Sequence, residues 1–135
     1  MAIWVLKKQD LLYPDLSYEI IGCAYEVFNE LGSGHSEKYY QRALSVLFKQ
    51  KNWLFQEQAY FPLKFKGEII GKNFIDFVVN DKIVVEIKKD NRYSKSHIDQ
   101  VLNYLKNSEL KLAILINFGK EGVSFKRIIN INELT

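Results

Sequence analysis

Three charged residues with the chemistry of a phosphate-handling site interrupt the middle of the chain: Asp76, Glu86 and Lys88. They lie in two short runs rich in Val, Ile and Phe, which a polar segment separates, Asn80-Asp81-Lys82. Such runs predict two antiparallel strands joined by a tight turn. Two carboxylates suit Mg²⁺, which prefers oxygen ligands and substrate phosphates, and the ammonium group could orient water or stabilise developing charge.

The length of the turn decides whether the two carboxylates meet. Pairing Val79 with Ile83 sets Asp76 opposite Glu86, because side chains alternate between faces along a strand. The other face is then wholly apolar, comprising Ile75, Phe77, Val79, Ile83, Val85 and Ile87. A two-residue turn would separate the carboxylates and bury one of them, which is costly. A surface salt-bridge cluster worth about 0–1 kcal/mol has the same spacing, so spacing alone leaves both interpretations open.

The composition of the 135 residues predicts one globular domain, 1–135, in which residues 1–14 form an arm with a candidate strand at Ile3–Leu6. Hydrophobic residues at 47% and charged residues at 26% exclude a disordered chain. The net charge of +3 is compatible with an anionic partner. A single cysteine, Cys23, excludes an internal disulfide, and no apolar run reaches about 18 residues. We therefore expect a cytoplasmic protein without a membrane partner.

Helical periodicity and stop signals predict two helices before the central strands. The first is expected to be capped by Asp15 or Ser17 and to end at Gly32, and the second to run from about Ser36 to Lys51. Glu37 lies on the apolar stripe of the second helix, so its carboxylate points toward whatever the helix packs on. It is either a favourable acid at a helix N-terminus or a third acid of the site.

The remaining elements complete an α/β pattern with a central mixed sheet of about five strands flanked by helices. An aromatic-rich strand over residues 53–66 contains Pro62, which places it at an edge or a bulge. A third helix is expected to begin near Ser96 with a capping box. The apolar run Leu112–Phe118 predicts a strand buried on both faces, and a final strand follows over Val123–Ile131.

A basic segment follows the central strands, with four cations among residues 88–95. It is either a solvated loop or a contact for a phosphate backbone. His35 and His97 each stand apart from any cysteine or second histidine in the sequence, so a zinc site is not expected.

Four short motifs in this order resemble the small GxxExxY proteins of the PD-(D/E)XK nuclease superfamily. Gly34, Glu37 and Tyr40 match the motif that names the group, and Asp76 with Glu86-Ile87-Lys88 matches the nuclease core. The QxxxY element of the RecB-like branch is matched by Gln100 and Tyr104. The resemblance runs from about Leu16 to Ile129. Ile75 stands where the superfamily name has Pro, a position that varies in the superfamily.

This resemblance implies a restriction-endonuclease-like core and metal-dependent hydrolysis of a phosphodiester. Asp76 and Glu86 would be metal ligands, with the backbone carbonyl of Ile87. Glu37 would be the upstream acid that completes the site, as a further candidate ligand, and Lys88 would hold or activate water. Gln100 and Tyr104 would orient the nucleic-acid strand or the catalytic groups.

The partners expected from the resemblance are Mg²⁺, with Mn²⁺ as a substitute, and a nucleic acid, more specifically DNA. Candidate contacts with the nucleic acid are Tyr40, Lys89, Arg92 and Lys95. Two alternatives stay open, because a fold does not fix a function. One is a catalytically silent module of the same fold that binds nucleic acid or a protein. The other is a scaffold whose aromatic edge strand, near Trp53–Phe65, pairs with another protein or with a second copy as a homodimer.

Overall fold

A computed structural model describes residues 12–90 and 92–130 of the chain. The candidate strand at Ile3–Leu6 and the end of the predicted last strand lie outside these residues. The described part forms three helices and five strands: α1 Pro14–Leu31, α2 Glu37–Gln50, β1 Phe55–Phe65, β2 Glu68–Val79, β3 Ile83–Lys89, α3 Lys95–Ser108, β4 Leu112–Phe118 and β5 Val123–Ile129. None of these helices is long and apolar enough to cross a membrane.

The starts of α1 and α3 differ from the sequence prediction. No side chain caps α1, so Asp15 and Ser17 do not have the predicted role; instead Pro14 occupies the first turn, where its fixed φ and missing N–H are tolerated. At α3 the capping residue is Ser94 rather than Ser96, because the Ser94 hydroxyl accepts a hydrogen bond from the backbone N–H of His97 at 3.0 Å.

The start of α2 and the end of α1 agree with the prediction. The Ser36 hydroxyl accepts a hydrogen bond from the backbone N–H of Tyr39, which caps α2. Helix α1 ends at Gly32, whose φ of 74° is in the left-handed region that glycine adopts without strain. These two ends fix a short connection that presents Glu37 at the first turn of α2.

The five strands form one sheet in the order β1-β2-β3-β4-β5. Three neighbouring pairs are antiparallel and β3–β4 is parallel, with α3 as the crossover between them. Strand β4 is buried along its whole length, which confirms the prediction from its continuous apolar run. Strand β1 lies at an edge of the sheet, as Pro62 indicated. The mixed sheet with flanking helices confirms the predicted α/β class.

Helices cover both faces of the sheet, and each face has its own buried cluster. The cluster under α1 and α2 includes Ile20, Leu44, Phe48, Phe77, Val85, Ile87 and Ile114. The cluster under α3 includes Ile75, Val78, Val84, Val101, Leu105 and Leu115. Burial of this apolar area stabilises the fold at about 25 cal/mol per Å² removed from water.

One residue of the predicted apolar face is on the opposite side of the sheet. Phe77 packs under α1 and α2 as expected, but Ile75 packs under α3 together with Ala59 of β1. Residues two apart on a regular strand share a face, so β2 changes face between these positions. The change occurs at Asp76, and opposite it the Gln58 backbone has a positive φ of 51°. The irregularity turns Asp76 toward the neighbouring strand.

Candidate active site

Strands β2 and β3 separate at the two carboxylates. The described ladder pairs Val79 with Ile83, Val78 with Val84 and Phe77 with Val85, which confirms the predicted register. At the next position, that of Asp76 and Glu86, side-chain carboxylates accept the backbone hydrogen bonds of the opposite strand. The backbone N–H of Asp76 donates to Glu86 Oε1 at 2.6 Å, and the N–H of Ile87 donates to Asp76 Oδ2 at 2.8 Å. Each carboxylate is thus held by the backbone of the opposite strand.

The two carboxylates are short of compensating positive charge. Glu86 is only 3% exposed, and Asp76 is half-buried. Burial and the neighbouring charge of Glu86 raise the pKa of Asp76 to about 7, although the Ile87 N–H, the Gln58 amide and the Lys88 charge act in the opposite direction. A divalent cation would relieve this repulsion.

Lys88 and Glu37 form the next layer of the site. The Lys88 ammonium lies 3.9 Å from Glu37 Oε1, and Glu37 Oε2 accepts a hydrogen bond from the backbone N–H of Lys89 at 3.2 Å. Glu37 therefore reaches the end of β3 from the first turn of α2. No hydrogen bond joins it to Asp76 or Glu86 among the described residues. The structure brings Glu37 to Lys88 and Lys89.

A chain of amides links Asp76 to α2 and was not anticipated from the sequence. The Gln58 side chain donates to Asp76 Oδ1 at 3.2 Å and to Gln41 Oε1 at 3.0 Å, and the Gln41 amide donates to Glu57 at 3.3 Å. Glu57 also accepts a hydrogen bond from Ser45 at 2.6 Å. Glutamines on an exposed strand face carry no distinct pattern, so only the cross-strand position of Gln58 could have indicated this role.

His97 is the second group at the site that the sequence did not indicate. Its Nε2 atom lies 3.1 Å from Glu86 Oε2, although the two atoms are not aligned as a hydrogen bond. The ring of Tyr93 lies 6.1 Å from that of His97. Burial raises the pKa of Tyr93, and the charges of Glu86, Glu37 and Asp76 add to this effect. The available signal was helical spacing, since His97 precedes Gln100 by one turn.

Gln100 and Tyr104 have no hydrogen bond to the carboxylate pair among the described residues. Tyr104 lies seven residues after His97, which is about 10 Å further along the helix axis. Its ring packs edge-to-face on Phe61 at 5.3 Å. Burial raises the pKa of Tyr104, and the charge of Asp81 adds to this effect. In this conformation Tyr104 supports β1, and its predicted role at the site remains a prediction.

The predicted nucleic-acid contacts divide into one buried residue and three accessible ones. Tyr40 is 1% exposed, its ring stacks on Phe118 at 4.2 Å, and its hydroxyl donates to the Gly32 carbonyl at 2.7 Å. Burial is not compatible with a direct contact, so Tyr40 fastens the connection that carries Glu37. Arg92 and Lys95 are exposed. Lys89 is half-buried, and its ammonium donates to the His35 carbonyl at 3.2 Å.

The donor set fits a hard divalent cation. In the described part of the chain, no three His, Cys, Asp or Glu side chains converge as a complete metal cage. Mg²⁺ does not require one, because it commonly takes one or two carboxylates and keeps waters or substrate oxygens. Asp76 and Glu86 supply such carboxylates, and their mutual repulsion is the observation that favours a cation between them.

The chain has a mixed five-stranded sheet with an Asp and a Glu-x-Lys on adjacent central strands. This arrangement is typical of nuclease-like α/β domains. Comparison of the sequence with protein families agrees: the family model of the PD-(D/E)XK nuclease superfamily matches residues 14–128. The match covers most of the chain, which therefore belongs to this superfamily. A comparison with curated proteins finds no match.

Two solved structures are similar to this fold. The crystal structure of SSO0001 matches with a TM-score of 0.51 and 21% identity over 69% of this chain, and the match covers 49% of that chain. The present chain thus spans about half of that protein. An alkaline exonuclease, LHK-Exo from Laribacter hongkongensis, has a TM-score of 0.42 and 12% identity over 82% of this chain and 78% of its own. At 21% identity the similarity to SSO0001 concerns the fold alone.

Proposed function

We propose that this protein is a metal-dependent nuclease that hydrolyses phosphodiester bonds of DNA. The observation that carries the proposal is the pair Asp76 and Glu86, held across the opening between β2 and β3, with the Lys88 charge close enough to act on Asp76. A buried carboxylate and a half-buried one that repel each other are unfavourable for folding alone. In a member of a nuclease superfamily, this cost is explained by the binding of a cation that acts on phosphate.

Each residue of the proposed site has a distinct task. Asp76 and Glu86 would hold Mg²⁺, or Mn²⁺ in its place, with the Ile87 carbonyl as a further ligand. The ion would supply Lewis-acid chemistry that stabilises negative charge on a phosphate group. Lys88 orients the attacking water and stabilises the charge that develops in the transition state. Glu37 keeps the Lys88 ammonium in place from α2, 3.9 Å away.

Within the superfamily, we place the chain in the GxxExxY group and the RecB-like branch. The support is the spacing of Gly34, Glu37 and Tyr40, which ends in a residue that anchors the loop before α2. The proposed DNA contacts are Lys89, Arg92 and Lys95, which follow the site directly and contact phosphates rather than bases. The single cysteine, Cys23, is buried and free, which agrees with a cytoplasmic location.

Cleavage of labelled single-stranded, duplex and branched DNA, with RNA alongside, tests the proposal. Reactions contain Mg²⁺, Mn²⁺ or chelator, and compare wild type with Asp76→Ala and Lys88→Ala. We expect metal-dependent cleavage of DNA that each variant lowers by at least about 100-fold. Asp15→Ala and Lys106→Ala make the same changes at exposed helix positions and should retain activity. Equal inertness of wild type and variants on every substrate would overturn the proposal.

The catalytically silent module is the rival function, and one feature of the site favours it. Both oxygens of Asp76 and one oxygen of Glu86 already accept hydrogen bonds from the protein. Calorimetric titration with Mn²⁺ separates the two functions, because a silent module of this kind would bind nucleic acid without binding metal. Nucleic-acid binding that persists in chelator, with no metal uptake, would favour the silent module.

A homodimer through the edge strand also remains a prediction. The hairpin of β1 and β2 exposes several large apolar side chains, namely Tyr60, Leu63, Phe65, Ile69, Ile70 and Phe74. Exposed edges and apolar patches of this kind mark contact surfaces. Solution mass by light scattering should report twice the mass of 15.9 kDa, and Phe65→Lys with Ile70→Lys should restore the monomer.

A further inference from the structure

Glu86 is held more deeply than any other charged residue in the described part of the chain. It is 3% exposed and is the only charged side chain there that is buried. A buried carboxylate needs hydrogen bonds to both oxygens to offset its lost hydration. Oε1 has the backbone N–H of Asp76 at 2.6 Å. A described polar side-chain atom close to Oε2 is His97 Nε2 at 3.1 Å, which is not aligned as a hydrogen bond.

His97 is fixed by its own helix in a position to serve this oxygen. Its backbone N–H is bonded to the Ser94 hydroxyl at 3.0 Å, so the residue belongs to the capped first turn of α3. The Nε2 atom is shut off from solvent and has no aligned partner among the described residues. The Tyr93 ring stands 6.1 Å away, and its hydroxyl is likewise buried without a described partner. Neither of these two atoms is therefore exposed to bulk solvent.

We infer that His97 is a positioning residue that holds the carboxylate of Glu86 through an Nε2–H donor. Nε2 and Oε2 are already at hydrogen-bond distance, 3.1 Å, so the bond requires only alignment of the two groups. Buried polar groups that lack an aligned partner are rare, and a role in catalysis or in ion binding is one of their recognised explanations. Outer partners of this kind orient metal-ligating carboxylates and are worth about 10–100-fold in metal affinity. This role rests on the proposed function, in which Glu86 is a metal ligand.

The first measurement is Mn²⁺ affinity by calorimetry, without substrate, for wild type, His97→Asn and His97→Gln. The glutamine amide nitrogen lies near the position of Nε2, whereas the shorter asparagine does not reach it. We expect His97→Asn to weaken binding by about 10-fold or more, and His97→Gln to restore most of the affinity. His35→Asn is the matched control, because His35 Nε2 instead lies 2.8 Å from the Leu31 carbonyl. Equal weakening in the Gln and Asn variants, or none in either, would overturn the inference.

The second measurement does not depend on metal binding or cleavage. The chain has two histidines, so a ¹⁵N-histidine NMR spectrum contains only the ring signals of His35 and His97. We expect Nε2 of His97 to carry a proton at neutral pH and its signal to shift in Glu86→Gln, while the His35 signals stay in place. A proton-free Nε2 would overturn the inference. A protonated, Glu86-dependent signal without metal uptake would preserve it, and the metal site of the proposed function would fail instead.

Discussion

The two ends of the β2–β3 pair belong to the same two strands and behave differently. Near the turn, Val79 pairs with Ile83 and Val78 with Val84, and all four side chains are buried and apolar. Two residues further on, the same strands part, and the carboxylates of Asp76 and Glu86 take the hydrogen bonds of the opposite backbone. One end contributes stability through apolar burial. The other end uses some of that stability to keep two like charges together.

The largest expected effect on stability lies at the turn end. Ile83→Ala should lower the free energy of unfolding by about 2–5 kcal/mol, because it leaves a cavity at a fully buried position. Urea denaturation measures the loss. The variant should still gain stability when metal is added, because its carboxylates are unchanged. A loss well below about 1 kcal/mol would mean that the turn end does not support the pair as described.

At the carboxylate end, a substitution should raise the stability of the folded protein rather than lower it when metal is absent. The pKa of Asp76 is raised from 3.8 to about 7, so between these values the folded state binds more protons than the unfolded state. Its favourable contribution is complete below about pH 4 and is lost as the pH rises to about 7, by no more than about 4 kcal/mol. Asp76→Asn should remove this loss and be more stable than wild type in chelator at pH 8.

Thermal or urea unfolding in chelator across pH 4–8 measures this difference, with Asp15→Asn as the exposed control. A wild-type stability that rises through this range, with Asp76→Asn no more stable at pH 8, would contradict it. The result would mean that the carboxylates are already neutralised by groups of the protein.

Bound metal should turn the carboxylate pair from a destabilising feature into a stabilising one. Saturating Mg²⁺ at about 100 times its Kd should stabilise wild type by about 2.7 kcal/mol, because the ion binds only the folded state. Asp76→Asn lacks one ligand charge and should gain little. Unfolding curves with and without Mg²⁺, at fixed ionic strength, provide the measurement. An equal gain in both proteins would place the ion elsewhere.

The smallest effect is expected at Glu37, which approaches the site from a helix. Glu37→Gln weakens a partly exposed ion pair with Lys88 at 3.9 Å, so the change in stability should stay below about 1 kcal/mol. The rate of cleavage should fall although stability changes little, because the Lys88 ammonium loses the carboxylate that holds it in place. Lys38→Gln, on the next and exposed position, is the control for stability and activity alike. A large loss of stability in Glu37→Gln would show that the acid supports the fold.

The regular parts of this molecule could be predicted and the irregular part could not. The strand pattern gave the register of Val79 with Ile83 and the full burial of β4, because side-chain alternation and continuous apolar runs follow from backbone geometry. The side of Ile75 was predicted incorrectly, since alternation assumes a regular strand and β2 changes face at Asp76. Such a change depends on contacts with β1 that no local pattern contains.

The candidate site divides in the same way. Asp76, Glu86 and Lys88 were found because charges within apolar runs are conspicuous. Gln58 and His97 were not found, because each reaches the carboxylates across space from an element distant in sequence. Tyr40 has the correct spacing for its motif, but it is buried rather than available to nucleic acid. A motif identifies a residue that matters more readily than the contact it makes.

The turn at the far end of the pair restricts which changes in length the protein tolerates. Asn80 and Asp81 have positive φ angles of 52° and 53°. Two hydrogen bonds join Asn80 to the backbone of Leu54: the Asn80 N–H donates to the Leu54 carbonyl, and the Asn80 side-chain oxygen accepts from the Leu54 N–H. Surface turns usually accept insertions and deletions between homologues. Here a one-residue change would slide β3 past β2 and part Glu86 from Asp76. In a library of insertions, active variants should therefore be found at the Lys66-Gly67 turn and be absent at residues 80–82.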